Sequence, residues 1–482
     1  MKLLTTLTTL SLCALALGQD TGGINQNDQS AGTVIKGKAP VAKELLKVKI
    51  PKPKSFRLKN GVMVYVLEDH RVPAVRFNLQ MKAGSIFEPK PGVASMTASL
   101  LTEGTPTRTG QQIAEQTEGI GANLNANAGL STSTLSTSGL SESTDLLISL
   151  LADVLLHPTF PTDRLDRAKY SSRAASAQRR TNPAGMLSDL SAKVFYGGTS
   201  YGRFAPTADQ IGAITVDDLK AFHDKYYRPN GAILGVTGDV EVASLETKLN
   251  AALADWKPGD NTPQLPNADF KANSATHIYL IDRPGSAQTT LQFGALAVRQ
   301  TDPDYIALTV ANRVLGGGSS GRLFQNIRER KGYTYGAYSS LSGGQWPGIW
   351  GANANVRTEV TEPAVAEFFK EFDRLQNELV PEEELTRVKR SILGSFALTL
   401  ESPEGILGRT LELVQNGLPM NYWDTYPARI QAVTANDVQR VAKKYLGHGN
   451  IQLFAVGERK KTEEGLAKFG PVSIVDPEHI GG

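Results

Sequence analysis

Ile211-Gly-Ala-Ile-Thr-Val-Asp-Asp-Leu219 returns later in the chain as Ile430-Gln-Ala-Val-Thr-Ala-Asn-Asp-Val438. Each copy leads into a helical stretch ending in aromatics, Tyr226 and Tyr227 or Tyr445. A strand then reaches a glycine, in Val236-Thr-Gly238 or Val456-Gly457. The offset is 430 − 211 = 219 residues. Length alone, 482 residues, points to roughly three domains of about 150 residues each. The repeat instead makes the body two similar halves. Strand and helix runs are mixed, so the expected fold class is α+β: two homologous domains, each a mostly antiparallel sheet covered by helices.

Working outward from the first copy, period-two runs at 62–67 and 74–81 read as strands, and Asn60-Gly61 is a hairpin signal before them. A strand also starts at Phe56, and a strand pair fills 122–140. Helical spacing covers 93–102, 143–156, 162–180 and 216–226, and a strand at 232–236 closes the half. Pro258, Gly259, Pro263 and Pro266 mark 257–273 as a linker between domains at 45–256 and 274–482.

Lys2, an uncharged apolar run over 3–17 and Ala16-Leu17-Gly18 read as an export signal over 1–18. A flexible tether over 19–44 follows. Cys13 is the only cysteine. It leaves a lipid anchor as an alternative, although Leu12 stands where such a site needs a small residue. The chain is thus expected in the periplasm, cell envelope or medium, with no spanning segment in the body. One cysteine excludes a disulfide framework and a cysteine-built zinc site. Lys+Arg is 51 and Asp+Glu is 48, a net charge of +3, too balanced for a protein built around nucleic acid.

Several further stretches resemble one family. They are Ala83-Gly-Ser-Ile-Phe-Glu-Pro89 with Gly92-Val-Ala and Glu103-Gly-Thr105, His157-Pro158 with Phe160, Ile214-Thr215 with Phe222-His223, and Leu315-Gly-Gly-Gly318 running into Arg322-Leu-Phe324. Over about 45–460 the chain is similar to pitrilysin-type metallopeptidases (inverzincins), the family that includes mitochondrial processing peptidase. Active members carry His-x-x-Glu-His on a helix. Histidines at i and i+4 share a face and reach one Zn²⁺, and the glutamate serves as general base on the metal-bound water. The matching residues here are Ser95, Met96, Thr97, Ala98 and Ser99. The family's third ligand, a glutamate eight residues before a proline, matches Ala175 before Pro183. No ligand or base remains, so no metal is expected in this chain. Among His70, His157, His223, His277, His448 and His479 no two are four apart. Glu478-His479 repeats the end of the motif with Val475 at its start, which is a chance match.

The resemblance implies a second element, an arginine and a tyrosine seven residues apart in the C-terminal half. Arg328 and Tyr335 have that spacing, with Tyr333 and Tyr338 as weaker candidates. Such a pair can donate hydrogen bonds to a peptide carbonyl under attack. Alternatively, they are an exposed cation and a strand aromatic. Gly316, Gly317 and Gly318 lack the Gly-Lys-Ser/Thr ending of a phosphate loop and are better read as loop or peptide contacts. The strand bearing Asn123, Asn125 and Asn127 matches the family's edge strand, to which a substrate adds as an extra strand.

The expected partners are a zinc-bearing homologous subunit with His-x-x-Glu-His and unfolded peptides. The chain would be the non-zinc subunit of an exported heterodimeric metallopeptidase. The alternative is a structural or peptide-binding protein without a catalytic role. A hydrolase with relocated chemistry has no visible triad or metal cluster to support it.

Overall fold

A computed structural model describes residues 50–202, 205–477 and 480. The expected signal, Cys13, the tether, and the pair Glu478-His479 lie outside them. The described residues cluster as one compact unit.

The first half runs β1 (Lys54–Arg57), β2 (Met63–Glu68), β3 (Ala74–Met81), α1 (Val93–Ser99), α2 (Gly110–Glu118), β4 (Asn123–Ala128), β5 (Ser133–Leu140), α3 (Thr144–Leu156), α4 (Thr162–Thr181), α5 (Pro183–Tyr196), α6 (Ala208–Gly212), α7 (Val216–Tyr226), β6 (Ile233–Gly238) and α8 (Val242–Ala252). The second runs β7 (Ile278–Asp282), β8 (Gln288–Leu296), α9 (Tyr305–Leu315), a π-helix (Phe324–Arg330), β9 (Thr334–Leu341), β10 (Ile349–Arg357), α10 (Thr361–Asn377), α11 (Glu382–Thr399), α12 (Pro403–Asn416), α13 (Tyr422–Ala432), α14 (Ala435–Tyr445), β11 (Gln452–Gly457), α15 (Arg459–Leu466) and β12 (Val472–Ile474).

The sheets have the orders β1-β2-β6-β3-β5-β4 and β12-β7-β11-β8-β10-β9. Five strands correspond one to one. The sixth comes from opposite ends of the chain: β1 pairs antiparallel with β2, whereas β12 pairs parallel with β7. Both sheets are mixed, with antiparallel pairing predominating as expected.

The quoted repeat is a helix start. Thr215 accepts from the Asp218 amide while the Asp218 side chain accepts from the Thr215 amide. Thr434 and Asp437 form the same reciprocal cap. Ile211, Ile214 and Leu219, like Ile430, Val433 and Val438, are buried on either side of it. The expected helix 93–102 stops at Ser99, followed by a tighter turn over Leu101–Glu103.

Each half lends one helix to the other. α5 packs on β8 and β11, and α12 packs on β6 and β2. Leu187, Leu190 and Phe195 of α5 share a core with Ile281, Phe454 and Val456. Leu407 and Leu411 of α12 cover Ile233. Each sheet has a glycine at the landing point. A Cβ on Gly294 would lie 2.7 Å from the Phe195 ring, and one on Gly235 would lie 2.8 Å from Leu407. The expected linker is latched into this junction. Phe270 meets Tyr196 and Tyr201 edge-on at 5.3 and 5.1 Å, and Tyr201 Oη donates to the Pro266 carbonyl (2.7 Å).

Candidate functional site

α1 starts at Gly92, whose φ of 97° favours glycine. The buried Glu88 accepts from the Ala94 amide (2.8 Å), placing a carboxylate at the positive end of the helix. Val93, Ala94, Met96, Thr97 and Ala98 face the core. Ser95 and Ser99 are exposed, one turn apart on the outer face, and Ser99 Oγ donates back to the Met96 carbonyl (3.1 Å). Ala175 is exposed on α4, which buries only Leu165 and Ser176 of its 20 residues.

These four positions therefore offer two hydroxyls and two methyls. Ala98, at the general-base position, is 1% exposed and presents no heteroatom. Neutral hydroxyls without an adjacent base are poor Zn²⁺ donors beside imidazole and carboxylate, so this donor set does not fit zinc. Among the described residues no group of three or more His, Cys, Asp or Glu could hold a metal ion. His223 is a buried core residue. Its Nε2 sits 2.8 Å from the Leu155 carbonyl, its ring stacks on Tyr227 at 5.0 Å, and burial pushes its pKa down. His157 caps the end of α3.

β4 is the free edge of its sheet. Asn123, Asn125 and Asn127 are exposed on one face, while Leu124, Ala126 and Ala128 pack toward the core. Opposite them on β5 stand Ser138, Ser136 and Thr134, and Asn123 Nδ2 donates to Ser138 Oγ (2.7 Å). The result is a flat polar face beside an unpaired strand edge.

Arg328 lies on the π-helix, a rare form that concentrates at functional sites. Asn326, buried beneath it, donates to Glu367 (2.8 Å) and Glu371 (2.9 Å), fixing the segment to α10. The Arg328 guanidinium lies 4.7 Å from the Phe324 ring centre, and Nε is 3.5 Å from the Glu329 carboxylate. The Tyr338 ring meets the same Phe324 ring at 5.5 Å. Gly336 makes room for this arrangement, since a Cβ there would lie 2.6 Å from the Tyr338 ring.

Tyr335 is 89% exposed, and no hydrogen bond or ring contact joins it to Arg328 among the described residues. Strand alternation would put it on the face of the buried Ala337. A bulge opposite Asn355, where the pairing shifts between Ala354 and Val356, turns it to solvent. The structure thus links Arg328 through Phe324 to Tyr338, which the spacing rule ranked below Tyr335. In sequence, only strand alternation from Gly336 to Tyr338 hinted at the shared face.

The glycine run is a packed helix exit. Gly316 is buried, and its carbonyl accepts from the Ser339 amide (2.8 Å). A Cβ there would lie 2.6 Å from that nitrogen. Arg313 donates to the Gly317 carbonyl and to Ser391 Oγ, and Gly318 is half-buried beside it. Gly316 is therefore needed for close packing, and Gly317 and Gly318 line the outer part of the loop.

Two six-stranded α+β domains that exchange helices, the first with Ser95, Ser99 and Ala175 exposed on its helices, define a bilobal peptidase-like fold. Comparison with known proteins names it: the chain belongs to the M16 peptidase family. Residues 63–203 match the family described as insulinase (peptidase family M16), and residues 213–392 match the peptidase M16 inactive domain. The chain is 27% identical over 363 residues to an uncharacterized zinc protease of Streptomyces coelicolor (74% of this chain, 78% of that protein). It is 24% identical over 407 residues to a non-peptidase homolog of Helicobacter pylori (83% and 93%). The crystal structure of a peptidase M16 inactive domain from Pseudomonas fluorescens superposes with a TM-score of 0.78 at 28% identity, covering 85% of this chain and 98% of that one. The non-peptidase name and the inactive-domain matches agree with the donor set: this is an inactive-type member of the family. Among the described residues no helix is long and apolar enough to cross a membrane.

Proposed function

We propose that this protein is the non-zinc subunit of an exported two-chain zinc metallopeptidase. It holds extended peptide substrate and supplies Arg328 and Tyr335 to a reaction whose zinc and His-x-x-Glu-His belong to a homologous partner. The observation that carries this reading is the asymmetry between the halves. Ser95, Ala98, Ser99 and Ala175 cannot hold metal, whereas the second half keeps an arginine anchored on a π-helix and an exposed tyrosine on the adjoining strand. The polar edge at Asn127 and the outer loop at Gly317 and Gly318 are the proposed peptide contacts, β4 through its free backbone groups, while the buried Gly316 only shapes that loop.

The test is reconstitution. The chain alone should cleave no unfolded peptide, and adding the zinc-bearing partner should restore turnover. Arg328→Ala should lower kcat by roughly 10²-fold and Tyr335→Phe by roughly ten-fold, with the complex intact on gel filtration. Wild-type turnover in both variants removes the proposed roles. Peptide binding with no cleavage in any pairing leaves a peptide-holding scaffold instead.

A further inference from the structure

A cavity of about 780 Å³ has neither α1 nor Arg328 in its lining. It opens where the two halves and the connecting segment meet. Lys82 enters from the residue after β3, and Arg299 from the turn after β8. These are equivalent strands of the two sheets, so the internal symmetry brings matching strand ends to one place. Asn267 comes from the connector and Gln345 from the β9–β10 hairpin. The volume is that of a small-molecule site.

The charges in this cavity are unusual. No hydrogen bond, ion pair or ring contact engages the side chains of Lys82 and Arg299 among the described residues. The acid on the wall, Asp269, is 3.9 Å from Lys271. The last turn of α12 also borders the cavity. Its Leu413 and Val414 carbonyls are taken by the Leu418 and Gly417 amides, in the closure that Gly417 (φ 64°) permits, so those two groups do not serve the cations. The side-chain amides of Gln345 and Asn267 likewise have no protein partner there. Half-buried Lys82 and exposed Arg299, one from each half, line this shared cavity, and an anion held between them would be attracted to both. Guanidinium and ammonium donors flanked by free carboxamides form a set suited to an oxyanion.

We propose that this junction binds a small polyanion, a di- or tricarboxylate or a phosphate, between Lys82 and Arg299, and that binding fixes the two halves relative to one another. The proposal stands apart from the zinc-partner reading.

Thermal unfolding and calorimetry of the purified full chain test it, with citrate and inorganic phosphate titrated separately at ionic strength held constant with sodium chloride. The expected result is a saturable rise in Tm with at least one anion. Lys82→Gln and Arg299→Gln should each weaken binding about ten-fold, Lys82→Arg should retain it, and Lys271→Gln should leave it unchanged. Saturation by citrate alone assigns a carboxylate ligand, and by phosphate alone a phosphate. An unsaturable rise matched by chloride, or wild-type binding in both glutamine variants, overturns the proposal. Both positions lie at the cavity surface, and near-UV circular dichroism checks that the variants keep the native fold.

Discussion

The two halves share a strand order but treat equivalent helices differently. In the first half α1 is seven residues long with Ser95 and Ser99 turned outward, and α4 buries two of its 20 residues. In the second half α9 buries seven of 11 residues, and α11 buries five of 18. Where α2 is a regular capped helix, its counterpart is the π-helix that carries Arg328. The residues that the resemblance matches to metal ligands, Ser95, Ser99 and Ala175, lie outside the first core, whereas Val93, Ala94, Met96 and Ala98 are packed within it.

The sharpest way to break the equivalence is at two glycines 219 residues apart. Gly238 has a φ of 122°, and a Cβ there would collide with the Ala74 carbonyl of the neighbouring strand. Gly457 has no positive φ. Its Cβ would meet Thr289 Oγ1 at 2.7 Å, a side chain that can move at the expense of its bond from Thr361 (2.8 Å). Gly238→Ala should destabilise by about 3 kcal/mol from conformational strain and overpacking. Gly457→Ala should cost about 1 kcal/mol, mainly the disturbed hydrogen bond. Urea midpoints measure both, and equal losses would show that the two strand ends are not differently constrained.

A second contrast is the ion pair holding the helix after the second corresponding strand to the capped helix of the repeat. In the first half the cation comes first: Lys90, just before α1, donates to Asp218 of α7 at 2.7 Å. In the second half the acid comes first: Asp304 accepts from Arg440 (2.6 Å), Lys444 (2.8 Å) and Tyr445 (2.8 Å) around α14. Burial would raise the Asp304 pKa, but these donors outweigh it and hold the carboxyl at about 2. Its folded value is below its unfolded one. Its contribution is therefore complete above the ordinary carboxylate range near 4 and is lost as pH falls toward 2. Asp304→Asn should cost about 2 kcal/mol at neutral pH and should flatten the acid limb of the stability curve. Lys90→Met should cost about 0.5 kcal/mol, because Lys90 is only half-buried and solvent screens its pair with Asp218. Denaturant titrations between pH 7 and pH 2 read both values.

The elements that could be read from sequence are those whose signals are local. The strand over Ala74–Met81 and the helix over Val216–Tyr226 fall where period and turn residues put them. The repeat is legible because the same reciprocal cap and flanking apolar residues are needed twice. α2, α5 and α8 went unread. The apolar side of α5 (Leu187, Leu190, Phe195) answers to the sheet of the other half, so its own neighbourhood in sequence does not explain it. The bare site was legible residue by residue from Ser95 to Ala175. The Arg328–Phe324–Tyr338 contacts were not, because they depend on a π-helical winding and a strand bulge that composition does not announce. Lys82 and Arg299 converge only in three dimensions.

A third contrast is a single titratable group. His223, buried in the first half, stands 219 residues before Ala442, buried in the second. Burial lowers the His223 pKa below 6.5, against the opposing pulls of the Leu155 carbonyl and of Asp224, whose carboxylate is 3.6 Å away. An unfolded chain would bind that proton more readily, so stability is full above about pH 6.5 and falls as pH drops below it. Hydrogen exchange between pH 7 and pH 5 should therefore show α7 and the end of α3 loosening while α14 does not. His223→Leu should remove the difference. Equal loosening of α14 would mean that the pH response belongs to the whole unit rather than to this ring.

The smallest expected effect tests why the first half could lose its chemistry. If Ser95 and Ser99 lie outside the core, their identity matters little to folding, and Ser95→His with Ser99→His should change stability by no more than about 0.5 kcal/mol. Two imidazoles one turn apart on an exposed face should nevertheless acquire saturable Zn²⁺ binding, measurable by equilibrium dialysis. Ala98→Glu should behave differently. It places a carboxylate at a position that is 1% exposed and should cost several times more, at about 2 kcal/mol. A neutral histidine pair beside a costly glutamate would mean that the ligand positions stayed open while the space for the general base closed. Re-creating the peptidase would then require repacking beneath α1 as well as restoring its donors.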